Sequence, residues 1–294
     1  MTAGVSLTTE RVPLKDRAKR LGVAVLWILL YAAASAVFAW LLLKLNPFPR
    51  GSGWYNALGT VTLAAACLGA TWLVGVVLNR QSWEHWGWPA GRGRVSLFVS
   101  GVGLGVLMAA LAIGLAFVTN RATVRLTGDW SDYLGVAAPL AVLLLAAALF
   151  EELVFRGYPL RRLADAIGAW PAMLLLAIGF GASHLWNPEV GAFGLVNIAL
   201  AGMWLSFAFF SPGGMLLAWG LHVGWNAGLA LVFDAPVSGQ GWLVPAVEYE
   251  PGRRAWVDGG AFGPEGGVVA TVVLIAGILA VLGKRFRQPK DWLL

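Results

Sequence analysis

Only one cysteine, Cys67, occurs in the sequence, and it lies inside an apolar run. No intrachain disulfide can form, so a secreted disulfide scaffold and a cysteine-based metal site are both excluded. Charge is scarce as well: Asp, Glu, Lys and Arg make up 12% of the 294 residues, while 59% are apolar. Such a chain lies outside the soluble globular range. The formal charge of +6 does not point to nucleic acid, because no basic cluster carries interleaved aromatics. HExxH, an internal repeat and any low-complexity tract are also missing.

What is present is a series of apolar runs, each about twenty residues long, the length that crosses a bilayer as a helix. Eight spans are predicted: Leu21–Leu43, Ala57–Leu78, Val95–Val118, Gly135 to about Tyr158, Ala169–Trp186, Gly191–Phe210, Gly213–Phe233 and Gly266–Gly283. The sixth and seventh meet at "SPGG" (Ser211–Gly214), which predicts a tight turn. The first follows the basic segment "ERVPLKDRAKR" and continues past "ASA" (Ala34–Ala36), so it reads as an uncleaved anchor. Residues 1–20 then form an N-terminal tail and residues 21–294 a single transmembrane domain.

Lys and Arg set the expected orientation. With the N-terminus inside, inner segments hold five before the first span, three in Asn79–Arg94, three in Arg156–Arg162 and four in Lys284–Lys290. The outer segments hold six: Lys44, Arg50, Arg121, Arg125, Arg253 and Arg254. This excess predicts that both termini are cytoplasmic. Many of the 16 tryptophans, Trp86 and Trp88 among them, fall near span ends, where the headgroup region suits them. The segment "QSWEHWGWPAGRGR" is expected along the cytoplasmic interface, its His85 beside a charged neighbour, and Asp234–Glu265 as the one sizeable extramembrane loop.

Polar residues within the spans are few. "FEELVFR" sets Glu151 and Glu152 at the end of the fourth span, and an intramembrane carboxylate marks a functional site once its partner is named. Glu152 and Arg156, four apart, share a helical face and can neutralise one another. Glu151 is turned about 100° away and lacks that partner; an interfacial salt bridge is the plainer alternative. "FGASH" puts Phe180 four residues before His184, and "HVGWN" puts His222 four before Asn226. Convergence of these groups on one cavity costs less than separate burials.

Taken in order, EELVFR, FGASH and HVGWN resemble the EExxxR, FxxxH and HxxxN motifs of the CPBP family, which includes CAAX prenyl proteases and bacteriocin-processing enzymes. The resemblance spans about residues 135–233, a third of the chain. It implies an all-α polytopic helical bundle with a polar catalytic cavity, acting as an intramembrane endopeptidase on a membrane-associated protein or peptide in a bacterial cytoplasmic membrane. By the same resemblance Glu151 activates water beside His184, His222 and Asn226 hold the oxyanion, and Glu152, Arg156 and Phe180 support the site. The cofactor is either none or zinc, the latter bound by Glu151, His184 and His222 as a His₂Glu set; the sequence shows no carboxylate placed to orient the histidines. Two other classes remain: a non-proteolytic scaffold or immunity protein of the same fold, and a proton-relaying transporter, although the two halves show no broken-helix symmetry.

Depth sets a further expectation. His184 lies fifteen residues into the fifth span, roughly 22 Å along a helix, whereas Glu151 ends the fourth. For the two to meet, the fourth helix is predicted to run on past Arg156 toward Leu163, with a kink at Tyr158-Pro159.

Overall fold

The computed structural model describes residues 14–91, 93–128 and 130–285. Arg11, Arg92, Arg287 and Lys290, which enter the charge count, lie outside them, as do residues 10–13 of the N-terminal basic segment. Unbroken apolar sequence becomes helix because a helix satisfies its own backbone groups where no water is present. In chain order the elements are α1 (Leu14–Leu43), α2 (Gly53–Ala70, passing into a π-helical stretch Thr71–Leu78), α3 (Arg94–Asn120), β1 (Thr123–Leu126), α4 (Tyr133–Phe155), α5 (Tyr158–Ile167), α6 (Ala169–Ala182), α7 (Ala192–Phe209), α8 (Gly214–Ala227, passing into a π-helical stretch Gly228–Val232), β2 (Val247–Glu250), α9 (Ala255–Asp258) and α10 (Val268–Arg285). Among the described residues six helical segments are long and apolar enough to cross a membrane; Ala169–Ala182 and Val268–Gly283 are apolar but shorter. Leu26, Leu29, Trp40, Val118 and Leu134 are each more than half exposed. Surface of that kind suits contact with lipid.

The predicted continuation of α4 does not occur. The helix stops at Phe155, and α5 starts afresh at Tyr158. In an unbroken helix the ring of Pro159 would press on the Phe155 carbonyl and supply no N–H. Placed in the first turn of α5, Pro159 has no such conflict. Gly157 makes the break with ψ −119°, and a Cβ there would lie 3.1 Å from the Leu153 carbonyl oxygen. Tyr158 is wholly buried, stacks on Tyr31 at 5.0 Å and donates from its hydroxyl to Asn79. Tyr31 in turn donates to the Leu153 carbonyl oxygen, which pins the last turn of α4.

Trp86 also departs from expectation. It is fully buried rather than at the lipid headgroups, with its ring 4.5 Å from that of Tyr158. Gly75 makes room for it: a Cβ there would lie 2.6 Å from the indole nitrogen. The segment around it packs on α5, where His85 Nε2 lies 3.2 Å from Asp165 Oδ2.

Close packing of α8 on α3 sets the direction of the site's histidine. Gly220, Gly224 and Gly228 form a stripe at four-residue spacing on α8, and Gly101 and Gly105 do the same on α3. A Cβ on Gly224 would stand 2.2 Å from the Val102 carbonyl oxygen, and one on Gly105 2.4 Å from that of Leu221. Small residues at such spacing let two helix backbones approach in a membrane. With that stripe against α3, His222 and Asn226 fall on another face of α8.

The loop after α8 is folded onto one end of the bundle. Its β2 pairs antiparallel with β1, Thr123 opposite Glu250 and Leu126 opposite Val247. Buried Asp258 accepts from Asn120 Nδ2 at 2.7 Å and from the Gly252 N–H at 2.6 Å.

Candidate active site

Glu151 and Glu152 occupy the last turn of α4 and point about 100° apart. The two environments differ accordingly: the Glu151 side chain is 30% exposed and that of Glu152 is fully buried. Glu152 Oε1 accepts from Arg156 Nη1 at 3.1 Å and lies 2.8 Å from His222 Nδ1. Since Glu152 is paired with a guanidinium, it is the acceptor, and Nδ1 of His222 carries the proton. The opposite nitrogen, Nε2, faces Glu151 Oε2 across 3.6 Å, beyond hydrogen-bond length. His222 is therefore held by one carboxylate and turned toward the other.

His184 lies just past the end of α6, which is only 14 residues long. Its Nδ1 is 2.9 Å from the Phe180 carbonyl oxygen, a group that only accepts, so in the neutral ring Nε2 keeps its lone pair. Phe180 stands between the charged and the titratable groups. The Arg156 guanidinium carbon lies 4.1 Å from its ring centroid, and the rings of His184 and His222 meet it edge-on at 5.0 and 6.0 Å. Arginine over an aromatic face adds a cation–π attraction to the ion pair. Asn226 is 8% exposed, and its amide has no hydrogen-bond partner among the described residues.

Glu151, Phe180, His184, His222 and Asn226 line one cavity of about 240 Å³. Glu152 and Arg156 lie behind its wall. Glu151 and His184 both line this cavity although α4 ends at Phe155 and is not extended; α6, which carries the chain to His184, is only 14 residues long.

The residues do not fit the zinc set considered from sequence. Among the described residues, no group of three His, Cys, Asp or Glu side chains is placed to hold a metal ion. His222 does have an orienting carboxylate, Glu152, which corrects the expectation that no such group exists. That partner lies 70 positions away in sequence, and helix periodicity gives the face a residue occupies but not the face it meets.

Sequence reasoning also passed over the loop's part in the cavity. Val237, Ser238, Gln240, Trp242 and Glu265 form part of the wall. Glu265 Oε1 accepts from Trp225 Nε1 at 2.8 Å, and its Oε2 accepts from the Ser238 N–H and hydroxyl at 2.5 and 2.7 Å. The Glu265 backbone carbonyl accepts from Asn197 on α7. One residue thus ties α7, α8, the loop and the approach to α10 together. The available signal was a lone carboxylate, in "GPEGG", at the foot of an apolar run.

Apolar helices around a cavity that holds carboxylate, imidazole and amide groups define an integral membrane protein with a polar site among its helices. Residues 133–228 match the family described as Rce1-like, Type II CAAX prenyl endopeptidase Rce1-like, and this supports the CPBP family for the chain. The match runs from the start of α4 to the residue just past α8 and includes all seven motif residues. This is a protease family, which supports hydrolysis as the reaction class. No curated protein matches the chain.

Proposed function

We propose that the protein is an intramembrane endopeptidase that cleaves a peptide bond in a membrane-associated protein or peptide, with Glu151 activating the water. The observation that carries this reading is the contrast between the two adjacent carboxylates. Glu152 is buried and occupied by Arg156 and His222, while Glu151 faces the cavity with no guanidinium on it and with His222 Nε2 3.6 Å away, beyond hydrogen-bond length. A carboxylate so placed can take a proton from water and deliver it to the leaving amine. His184, through Nε2, can hold the attacking water beside it. His222 and Asn226, four apart on α8, supply donors for the oxyanion, a contribution of several kcal/mol where the groups are fixed in advance. In that role His222 carries protons on both nitrogens, with Nδ1–H on Glu152 and Nε2–H toward the cavity. The test is a screen of the purified protein in detergent against membrane-peptide libraries. Cleavages present with wild type and absent with Glu151→Ala support the reading, and cleavages that persist in the variant count against it.

The proposed setting is a bacterial cytoplasmic membrane, crossed eight times if the two shorter apolar helices are included, with both termini inside and one transmembrane domain. The basis is the distribution of Lys and Arg. Cysteines introduced at exposed positions of the Asp234–Glu265 loop, in a Cys67→Ala background, are expected to react with an impermeant reagent added outside the cell. Cysteines in Asn79–Arg94 are expected to stay unlabelled, and the opposite pattern would overturn this orientation.

A further inference from the structure

The short helix α5 is amphipathic: Tyr158, Pro159, Leu160 and Leu163 are buried, while Arg161, Arg162 and Asp165 supply its polar side. Arg161 pairs with Asp165 at 3.2 Å, and Asp165 also meets His85, so that part of the helix is neutralised. Arg162 is different. It is half-buried, its Nε has no hydrogen-bond partner, and it forms no ion pair among the described residues. Its guanidinium carbon lies instead 5.7 Å from the centroid of the Trp27 ring on α1. The packing of α5 on α1 shows what stands beside it. Tyr158 stacks on Tyr31, and Arg162, one turn further along α5, meets Trp27, one turn earlier on α1, so the two helices run antiparallel. Arg20, Ala24, Trp27 and Tyr31 follow at helical spacing on one face of α1. Ala24 and Tyr31 are buried, whereas Arg20, roughly 10 Å along the axis from Trp27, is exposed at the open end of this stripe and has no ion pair among the described residues. Next to Trp27 around the helix, Val23, Leu26 and Leu30 are exposed. One groove thus offers two uncommitted guanidiniums and, beside them, a strip of bare apolar side chains.

We infer that the groove between α1 and α5 binds an anionic phospholipid, with its phosphate held between Arg162 and Arg20 and its acyl chains laid on Val23, Leu26 and Leu30. The inference is independent of the endopeptidase reading. Guanidinium matches phosphate through paired N–H donors, and stacking on an indole fixes its plane. A free phosphate would meet the same donors and leave the apolar strip uncovered; a lipid covers both. In the proposed orientation this end of α1 faces the cytoplasm, where basic pockets between helices take anionic headgroups. Occupancy has a structural consequence. A phosphate across Arg162 and Arg20 ties α5 to α1, and α1 carries Tyr31, whose hydroxyl donates to the Leu153 carbonyl oxygen in the last turn of α4. Bound lipid is therefore expected to raise the melting temperature of the protein.

The test titrates the full chain, purified in detergent and stripped of lipid, with phosphatidylglycerol or with phosphatidylcholine of the same acyl chains, whose phosphate is balanced by its own ammonium. Bound lipid is counted by native mass spectrometry, and stability is followed as melting temperature. One phosphatidylglycerol per chain is expected to bind about tenfold more tightly than phosphatidylcholine. Arg162→Gln is expected to lose about tenfold of that affinity. Arg20→Gln, at an exposed position where the fold is not at risk, is expected to lose about three- to fivefold. Arg162→Lys keeps the charge without the flat fork, so its loss is expected to fall between wild type and Arg162→Gln. Arg94→Gln, at an exposed arginine on α3, is expected to change nothing. A merely structural role for Arg162 would lower the melting temperature with and without lipid alike and leave the preference between lipids unchanged. Equal binding of the two lipids by wild type overturns the inference. So does a preference that survives both Arg162→Gln and Arg20→Gln, with Arg162→Lys standing in if the glutamine variant does not fold. An equal loss in Arg94→Gln overturns it as well, since that marks general surface charge. Inorganic phosphate that raises the melting temperature as phosphatidylglycerol does would put a free anion in the groove, and a dimer formed in place of the lipid adduct would make the groove an interface between copies of the chain; either result removes the lipid.

Discussion

Arg156→Ala is expected to lose most of its folded protein. Arg156 is 1% exposed and Glu152 fully buried, so removing the guanidinium leaves a carboxylate in the interior with only His222 beside it. Breaking a buried pair in this way costs about 3–5 kcal/mol, more than an unpaired exposed group would. The Phe180 ring loses its cation at the same time. Melting temperature and yield in detergent are the measurements. Because the loss comes from the stranded charge, neutralising both partners is expected to be milder: Glu152→Gln with Arg156→Gln together should cost less than the two single losses combined. Additive losses in that cycle would show that the pair is not coupled.

Glu151→Gln is expected to behave in the opposite way. The Glu151 side chain is 30% exposed, and its nearest ionisable neighbour, His222 Nε2, stands at 3.6 Å. Little of the fold depends on it, and a melting temperature within a few degrees of wild type is expected. Turnover depends on it heavily under the proposed mechanism, because glutamine keeps the size and accepts hydrogen bonds but takes no proton. Loss of a general base lowers the rate by about 10²–10⁴. Adjacent residues on one helical turn are thus expected to separate cleanly, Glu151 in kinetics and Arg156 with Glu152 in stability.

Particular residues show how far the sequence could be read. The apolar helices and the three motifs were legible, because length and hydropathy define a span locally and each motif is a four-residue helical spacing. The turn at Ser211–Gly214 was legible because Pro212 and the glycines beside it break a helix locally. Pro159 was read as a kink within α4, whereas it starts a separate helix; only the buried set Tyr31, Tyr158 and Trp86 makes the break worthwhile, and those contacts join residues far apart in sequence. Trp86 carried the composition signal of a headgroup tryptophan but fills the space left by Gly75. Glu265 looked like loop charge, since nothing in its neighbours reveals Trp225 and Ser238 as donors. The pairing of Glu152 with His222 was hidden in the same way: both residues were singled out, and what joined them was the packing of α4 beside α8.

The proposed chemistry is tested most directly by the turnover of Glu151→Gln on a peptide that wild type cleaves, measured beside the melting temperatures of both proteins. The expected result is a folded variant whose kcat falls by at least about a hundredfold. A folded Glu151→Gln protein that cleaves the same bond at the wild-type rate would contradict the assignment of Glu151 as the base, and with it the mechanism.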